Sequence, residues 1–250
     1  MGANNQGLED ATSWLIDNRI VNEKGDFIEF KNHKFLFDIY NDESQEVAVM
    51  KAAQVGMSTL QILKNHRDAK REKMDIIYTL PTDNDVRVFV GGKVNRIIAN
   101  NKPLLDDVAD KDSIEVKQVG DSMIYFRGTW TKKTAIMVTA DRLVHDEKDS
   151  SKLDIIADYQ ARLQHSKFKQ IHSFSHPSLP EVGIHNDWLQ SDQKHCFVTC
   201  PHCKIQQFLN WDTMNPKKMS IDLERKCFIC KKCKGVLEDK VRGQGNWKAR

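Results

Sequence analysis

The stretch VAVMKAAQVGMST, residues 47–59, constrains the fold more than any other part of this sequence. It combines an apolar strand, a short loop of small residues with one glycine, and a helix that opens on two hydroxyl side chains. Such a loop points the backbone N–H groups of a helix N-terminus at an anion and leaves a hydroxyl for Mg²⁺. The stretch therefore predicts an α/β domain with a phosphate-binding loop.

The loop lacks the lysine that this motif usually carries after its last glycine, because Met57 occupies that position. Lys51 stands where the motif has its first glycine, and a lysine at this strand end can reach back to the phosphates as a point charge. Gly56 and Ser58 keep the expected register, which makes Ser58 the candidate Mg²⁺ ligand. The candidate ATP-binding residues are Lys51, Ala52, Ala53, Gln54, Val55, Gly56, Met57, Ser58 and Thr59.

A second motif, RLVHDEKD at residues 142–149, ends a strand on two acidic side chains. In ATP hydrolysis the aspartate, here Asp146, orients Mg²⁺ and its waters, and the adjacent Glu147 polarises the attacking water. Arg142 and His145 interrupt the apolar run, so an exposed acidic turn is the alternative interpretation. The order of the pieces favours an ATPase: the loop, a second strand, the acidic strand end, and a polar strand end at SFSHPS.

Residues 1 to about 190 alternate short apolar strands with helical stretches, as α/β domains do. Pro81 opens a helix that Thr82 or Asp83 caps and that runs to about Asn100. The other predicted elements are a helix at 8–19, strands at 46–50, 74–80, 135–138, 142–147 and 169–178, a hairpin at 113–128, and helices from Ser58 onward and over 152–166.

All six cysteines lie in the last quarter, and four of them form two Cys-x-x-Cys pairs with 26 residues between them. Two such pairs bring four thiolates to one tetrahedral metal, which predicts a closed structural Zn²⁺ site at Cys200, Cys203, Cys230 and Cys233. The alternatives are a register that uses Cys227 with Cys230, reserve ligands at His195 and His202, and disulfides or buried free thiols. Disulfides fit poorly in a chain without a secretion signal.

Composition excludes some classes of protein. Charged residues make up 29% of the 250 and hydrophobic ones 40%, which fits a globular protein with one sizeable core and a small appendage, or two small domains. No apolar run approaches membrane-spanning length and the first twenty residues lack a secretion signal, so we expect an intracellular setting. The net charge of +3 does not by itself indicate nucleic-acid binding, although basic residues concentrate after residue 214.

These pieces together resemble the large subunit of tailed-phage DNA-packaging terminases, of the lambda-type family. The resemblance is a collinear series from about residue 30 to the end. The family's adenine-side segment is similar to HKFLFDIYND, and its variant phosphate loop is similar to VAVMKAAQVGMST. Its second βα unit is similar to the stretch that begins at YTLPTDND. The family's hairpin resembles MIYFRG, its Asp-Glu strand resembles RLVHDEKDSSK, and its coupling strand resembles SFSHPS. Its metal ribbon resembles the three stretches FVTCPHC, CKKCKGVLE and GNWKAR.

The resemblance implies a P-loop NTPase of the ASCE type, an α/β fold with a mainly parallel central sheet flanked by helices, and a C-terminal zinc ribbon. It places Lys51 on the phosphates, Ser58 on Mg²⁺, Asp146 as the metal-side acid and Glu147 as the catalytic base.

Two further sets of residues follow from the resemblance. Ser175 and His176 fall in the motif that couples hydrolysis to DNA movement, although the family more usually has Thr at the position of His176. Ring motors also use an arginine from a neighbouring subunit, for which Arg96 and Arg127 are the candidates.

The implied organisation is an N-terminal helical segment (1–30), a P-loop ATPase domain (31–194) and a zinc-ribbon segment (195–250). The family's nuclease domain would follow Arg250, so nuclease activity is not expected of this chain, which we interpret as truncated or as one product of a split gene. Implied partners are double-stranded DNA, the small terminase subunit, which residues 1–30 would contact, the portal and procapsid, and further copies in a ring. The implied location is the cytoplasm of the host cell.

The predicted function is a Mg²⁺-dependent ATPase that drives double-stranded DNA into a viral procapsid. A helicase-like translocase is a second hypothesis, but the chain has no room for a second motor domain. The third is a non-enzymatic zinc-ribbon module that binds nucleic acid or protein and carries a degenerate phosphate loop. Met57 and the interrupted Asp-Glu strand are the features that favour this third hypothesis.

Overall fold

The computed structural model describes residues 10–130, 138–210 and 219–249. These residues form two compact units. One comprises the described parts of Met1–Ile28 and Asp42–Gln190, and the other those of Glu29–Asn41 and Ser191–Arg250. The predicted strand at 135–138 falls almost entirely outside the described residues.

The α-helices are α1 (Ala11–Asp17), α2 (Phe35–Tyr40), α3 (Met57–Glu72), α4 (Asp83–Phe89), α5 (Asn95–Asn100), α6 (Lys102–Asp107), α7 (Leu153–Gln160), α8 (Gly183–Leu189) and α9 (Asp239–Arg242). The strands are β1 (Glu46–Met50), β2 (Ile76–Leu80), β3 (Val108–Asp112), β4 (Val116–Val119), β5 (Ser122–Gly128), β6 (Arg142–Asp146), β7 (Gln170–Ser175), β8 (His195–Thr199), β9 (Gln206–Phe208), β10 (Ile221–Asp222), β11 (Cys227–Phe228) and β12 (Asn246–Lys248). A π-helical turn (Val90–Val94) joins α4 to α5.

The first unit contains a seven-stranded sheet in the order β1-β7-β6-β2-β5-β4-β3. Its first five strands run parallel, and β4 and β3 continue it antiparallel. This confirms the predicted mixed α/β fold with a mainly parallel sheet. Strands β2 and β6 are buried along their whole length, as strands covered on both faces are. Because the five strands are parallel, their carboxyl ends meet at one edge of the sheet.

Local sequence accounts for several of these elements. Thr82 and Asp85 form a capping box at the start of α4, which confirms the predicted helix start. The predicted continuation to Asn100 is also confirmed, with the π turn over the two glycines in its middle. Strands β4 and β5 form the predicted hairpin, and Gly120 adopts the positive φ that its tight turn requires. Helix α7 is shorter than predicted, since it ends at Gln160 and a 3₁₀ turn follows it.

Helix α3 is long, polar and nevertheless buried, because a network of charges joins it to the sheet. Arg142, the first residue of β6, donates from its Nη2 to the Asp68 Oδ2 at 2.6 Å and from its Nε to the Gln170 Oε1 at 2.8 Å. Burial works against ionisation of Asp68, but Arg142 and Arg67 hold the pKa of that carboxyl below its ordinary value. The network fixes α3, and with it the loop that precedes α3, against the strands that carry the acidic residues.

The second unit is a small β structure. Strands β12, β8 and β9 form an antiparallel sheet, and β10 pairs with β11. Its core contains Val198, Cys200, Cys230 and Leu237, and the Trp247 indole donates to the Phe35 carbonyl at 2.6 Å. Among the described residues of the chain, none of the helices has the length and apolar character needed to cross a bilayer.

Candidate functional site

The carboxyl ends of β1, β7 and β6 bring together residues that are far apart in the sequence. Lys51 directly follows β1, Ser175 ends β7, and Asp146 ends β6. Strand β7 lies between the other two, and the Lys51 N–H donates to the Ser175 carbonyl at 2.9 Å. The structure therefore places these sequence-predicted residues on one edge of the sheet.

The loop between β1 and α3, residues 51–56, turns through two positive φ angles, at Gln54 (+58°) and Gly56 (+89°). Gly56 is the N-cap of α3, and no described side chain caps the helix there. An α-helix leaves its first N–H groups without intrahelical acceptors, so these amides are free to bind an anion. Met57 is only 6% exposed and packs into the core.

Asp146 is the centre of the site. Its Oδ2 accepts hydrogen bonds from the Ser58 hydroxyl at 2.7 Å and from the Tyr78 hydroxyl at 2.7 Å. Its Oδ1 is buried, has no hydrogen-bond partner among the described residues, and lies 3.9 Å from the Lys51 Nζ. Burial, and less strongly the charge of Glu147, raises the pKa of Asp146 against the opposing effects of Ser58, Tyr78 and Lys51.

Tyr78 is a site residue that the sequence reasoning missed. It is completely buried in β2, and burial together with the Asp146 carboxylate raises the pKa of its phenol well above the ordinary value. The signal in the sequence was a tyrosine in the middle of the apolar strand IIYTL, since a buried phenol needs a hydrogen-bond acceptor.

Glu147 and Lys51 form a close ion pair. The Lys51 Nζ lies 2.5 Å from the Glu147 Oε1; the Lys51 side chain is 8% exposed and that of Glu147 is 42% exposed. Glu147 adopts a left-handed backbone conformation with φ of +54°, which directs the chain away from the strand immediately after Asp146. The carboxylate is thus open to solvent on one side and held by the lysine on the other.

The turn after Glu147 is attached to the segment that follows β7. The Asp149 N–H donates to the Ser175 Oγ at 3.1 Å, and its carboxylate accepts from the Ile184 N–H at 2.7 Å and from the Ser178 N–H at 2.8 Å. The hydroxyl of Ser175 also donates to the carbonyl of His176, whose side chain is exposed. A second link joins the Lys148 Nζ to the Asp187 Oδ2 at 2.5 Å. The turn is therefore fixed to α8 by charged side chains and backbone amides.

The two candidate arginines differ in their surroundings. Arg127 is half-buried and donates to the carbonyls of Glu115 and Phe126, both at 2.9 Å, with its guanidinium 5.4 Å from the Tyr125 ring centre. Arg96 lies on α5 with its side chain exposed. Arg127 is thus held by these contacts, whereas the Arg96 side chain is exposed to solvent.

The four predicted metal ligands cluster in the second unit. The sulfur atoms of Cys200, Cys203, Cys230 and Cys233 all lie within 4.8 Å of one another. The Cys200–Cys233 and Cys203–Cys230 sulfurs are 3.7 and 3.6 Å apart, close to the separation of about 3.8 Å that tetrahedral Zn–S bonds of 2.3 Å require.

The other cysteine and histidine candidates are placed elsewhere. All six cysteines are free, so the disulfide alternative is wrong. Cys227 lies in β11, where its backbone pairs with that of Asp222 in β10. His195 stacks on the Phe208 ring and the His202 Nε2 lies 3.3 Å from the Val236 carbonyl. The four-cysteine cluster fits a zinc ribbon.

Comparison with known proteins gives a family and a fold. A family model described as "Phage terminase large subunit gpA, ATPase domain" matches residues 36–249. The crystal structure of the HK97 bacteriophage large terminase is similar, with a TM-score of 0.60 and 13% sequence identity. The similarity covers 73% of this chain and 40% of that one, so the chain spans well under half the length of the protein it resembles. No curated protein sequence matches it.

Proposed function

The chain belongs to the phage terminase large subunit family of the gpA type, and we propose that it is the ATPase motor portion of such a subunit, which couples Mg²⁺-ATP hydrolysis to the movement of double-stranded DNA into a procapsid. The observation that carries this proposal is the convergence of Lys51, Ser58, Asp146 and Glu147 at one sheet edge. Those side chains supply a cation, a hydroxyl and two carboxylates beside an uncapped helix N-terminus.

The donor set at Asp146 fits Mg²⁺. The ion prefers carboxylate, hydroxyl and water oxygens, and the buried Asp146 Oδ1 lacks a hydrogen-bond partner among the described residues. The Ser58 hydroxyl lies 2.7 Å from the other oxygen of the same carboxylate. When bound there, Mg²⁺ would supply charge neutralisation at the β- and γ-phosphates. In this proposal, Asp146 and Ser58 hold the ion.

The phosphates of ATP would bind the amides of the 51–56 loop and the first turn of α3, with the Lys51 ammonium as their cation. Glu147 acts as the base that polarises the attacking water, and its exposed side chain is accessible to that water. We assign the coupling role to Ser175 and His176, because the Ser175 hydroxyl and the Asp149 amide join the two strand ends. Arg96 is the better candidate for an arginine that acts on a neighbouring subunit.

The proposal extends to cofactors, partners and location. Cys200, Cys203, Cys230 and Cys233 would hold a structural Zn²⁺, because four thiolates leave no open coordination position. Double-stranded DNA, the small terminase subunit, the portal and procapsid, and further copies in a ring are the proposed partners. The location we propose with these partners is the host-cell cytoplasm.

A second candidate function rests on charge. Residues 191–250 carry thirteen lysines and arginines against six aspartates and glutamates, which suits contact with a nucleic-acid backbone. A non-enzymatic zinc-ribbon module would use this charge without binding ATP. The two candidates therefore differ in whether Mg²⁺-ATP binds at all.

The experiment compares equilibrium Mg²⁺-ATP binding and hydrolysis by the purified chain with those of Lys51→Ala and Glu147→Gln. We expect Lys51→Ala to lose binding, and Glu147→Gln to bind ATP with little or no turnover. Lys102→Ala and Asp106→Asn serve as controls, because these residues form an exposed pair on α6.

Each result bears on a separate element of the proposal. Equal binding by wild type and Lys51→Ala would show that Lys51 is not the phosphate cation. Retained turnover in Glu147→Gln would remove that residue from its role. A folded, zinc-loaded wild-type chain that binds no Mg²⁺-ATP would contradict the ATPase proposal and favour the binding module.

A further inference from the structure

The first turn of α3 presents two hydroxyl side chains to two different surroundings. Successive residues of an α-helix project about 100° apart around its axis. Ser58 therefore faces β6, where it donates to Asp146. Thr59 faces away from that carboxylate, toward the turn around Glu23 and the π turn between α4 and α5.

Thr59 belongs to a small charged cluster on this second side. The Lys93 Nζ donates to the Thr59 Oγ1 at 3.3 Å, and the Thr59 hydroxyl lies 3.3 Å from the Glu23 Oε2, to which it donates. The Lys93 Nζ and the Glu23 Oε1 are 3.5 Å apart, with side chains 30% and 20% exposed. A cation and its counter-ion thus lie at the first turn of the helix that follows the 51–56 loop.

The π turn explains how Lys93 reaches this position. The turn spans Val90–Val94, and its two end residues are buried and hold it against the core. Gly91 and Gly92 between them face open space. A π turn is a rare interruption of an α-helix that changes the direction of its side chains, and such turns occur frequently at functional sites. Here it places the one lysine of the turn beside Thr59.

The negative charge of a bound triphosphate would need a second cation beside Lys51. Met57 is buried where the usual lysine would lie, and the amine of Lys51 already lies 2.5 Å from Glu147. A triphosphate brings several negative charges, and phosphate oxygens bind most strongly to charged donors. Resting on the proposed ATPase function, we propose that Lys93 is a second phosphate-binding residue of this site, and that Glu23 is the counter-ion which the nucleotide phosphate replaces.

The exchange of one anion for another is physically reasonable. An ion pair with this degree of exposure contributes little to stability, so its carboxylate can be displaced at small cost. The free backbone amides at the N-terminus of α3 also favour the binding of a phosphate near Thr59. In this arrangement Lys93 binds phosphate on one side of the α3 N-terminus, and Lys51 binds phosphate on the other side.

The test is equilibrium binding of Mg²⁺-ATP, and competition by tripolyphosphate, with the full chain and its variants. We expect Lys93→Met to weaken both ligands by a similar factor, about tenfold or more, because only the phosphates contact the ammonium. Lys93→Arg should retain most of the affinity, and Glu23→Gln should tighten binding by removing the competing carboxylate. Lys102→Met is the matched control, since that lysine is 82% exposed on α6. Thermal unfolding shows that every variant is folded.

Three results would overturn the inference. Unchanged ATP affinity in folded Lys93→Met, alongside lost affinity in Lys51→Ala, would exclude Lys93 and leave the proposed function intact. Weakened ATP binding with unchanged tripolyphosphate binding would mean that Lys93 acts through the nucleoside. A folded wild-type chain that binds neither ligand would overturn both proposals.

Discussion

At the scale of single residues, the burial of Asp146 is unfavourable for the ligand-free protein. Burial raises the pKa of this carboxyl from its ordinary 3.8, so the native state holds the proton more tightly than the unfolded state does. The stability contributed by Asp146 is therefore fully present below pH 3.8 and is lost as the pH rises through the folded-state pKa. At neutral pH the ionised carboxylate therefore destabilises the fold.

The substitution Asp146→Asn replaces this buried carboxylate by a neutral amide. Removing the charge should raise the free energy of unfolding at pH 7 by on the order of 1 kcal/mol, and this gain should shrink as the pH falls toward 4. Urea unfolding at several pH values measures it, with Asp106→Asn as an exposed control. A clear loss of stability at pH 7 would mean that the hydrogen bonds from Ser58 and Tyr78 to the charged form outweigh its burial.

At the scale of elements, strand β6 shows what a sequence reveals and what it leaves out. Arg142 and His145 interrupt its apolar pattern, yet the strand is buried throughout. Arg142 pairs with Asp68, which is 74 residues away in sequence, and the Thr79 hydroxyl lies 2.7 Å from the His145 Nδ1. Burial, and less strongly the charge of Lys148, lowers the pKa of His145 to about 3, so the ring is neutral. Local patterns cannot identify partners this distant.

The same limit explains which parts of the site could be predicted. The 51–56 loop and the Asp-Glu strand end are local motifs, so the sequence alone indicated Lys51, Ser58 and Asp146. Tyr78 and Lys93 belong to no motif, and their contacts depend on strand order and on a π turn that no spacing rule indicates. Helix α8 was not predicted either, since its seven residues follow a loop rich in proline and serine.

Helix α8 begins at a glycine that lies against the Asp149 carboxylate. Gly183 has φ of +57°, and a Cβ there would lie 2.3 Å from the Asp149 Oδ1. Gly183→Ala should therefore displace the Asp149 carboxylate, lower the free energy of unfolding by about 1 to 3 kcal/mol, and reduce ATP turnover through the turn that carries Glu147. Urea unfolding and steady-state hydrolysis measure the two effects.

The matched control is Gly91→Ala in the π turn, where an added Cβ meets open space. Alanine loses less backbone entropy than glycine on folding, so this variant should be neutral or slightly more stable. If both glycine variants lost stability equally, the contact with Asp149 would not be the cause.

At the scale of the whole molecule, the family resemblance is confirmed by the match to phage terminase large subunits. The sequence did not indicate which segments of the chain belong to the same compact unit. Glu29–Asn41 groups with the C-terminal residues, partly through contacts such as that between Trp247 and Phe35, which are 212 positions apart.

The four clustered cysteines all belong to the second unit. If the cluster holds Zn²⁺ as proposed, a chelator should unfold the second unit and leave the first unit folded, because the cluster and its surrounding core lie within the second unit. Limited proteolysis should then cut within residues 29–41 and after about residue 190, and should spare the first unit. Cys200→Ser should reproduce the effect and Cys227→Ser should not. Proteolysis throughout the chain after chelation would contradict the prediction.

The pair of Lys51 and Glu147 has a consequence for timing. If both residues act as proposed, the idle protein keeps its own base occupied, because the lysine that should receive the phosphates holds the carboxylate at 2.5 Å. Binding of ATP would then move the Lys51 ammonium to the phosphates and release the Glu147 carboxylate at the same time. Hydrolysis would therefore be activated by the binding of its own substrate, and the base would stay inactive while the site is empty.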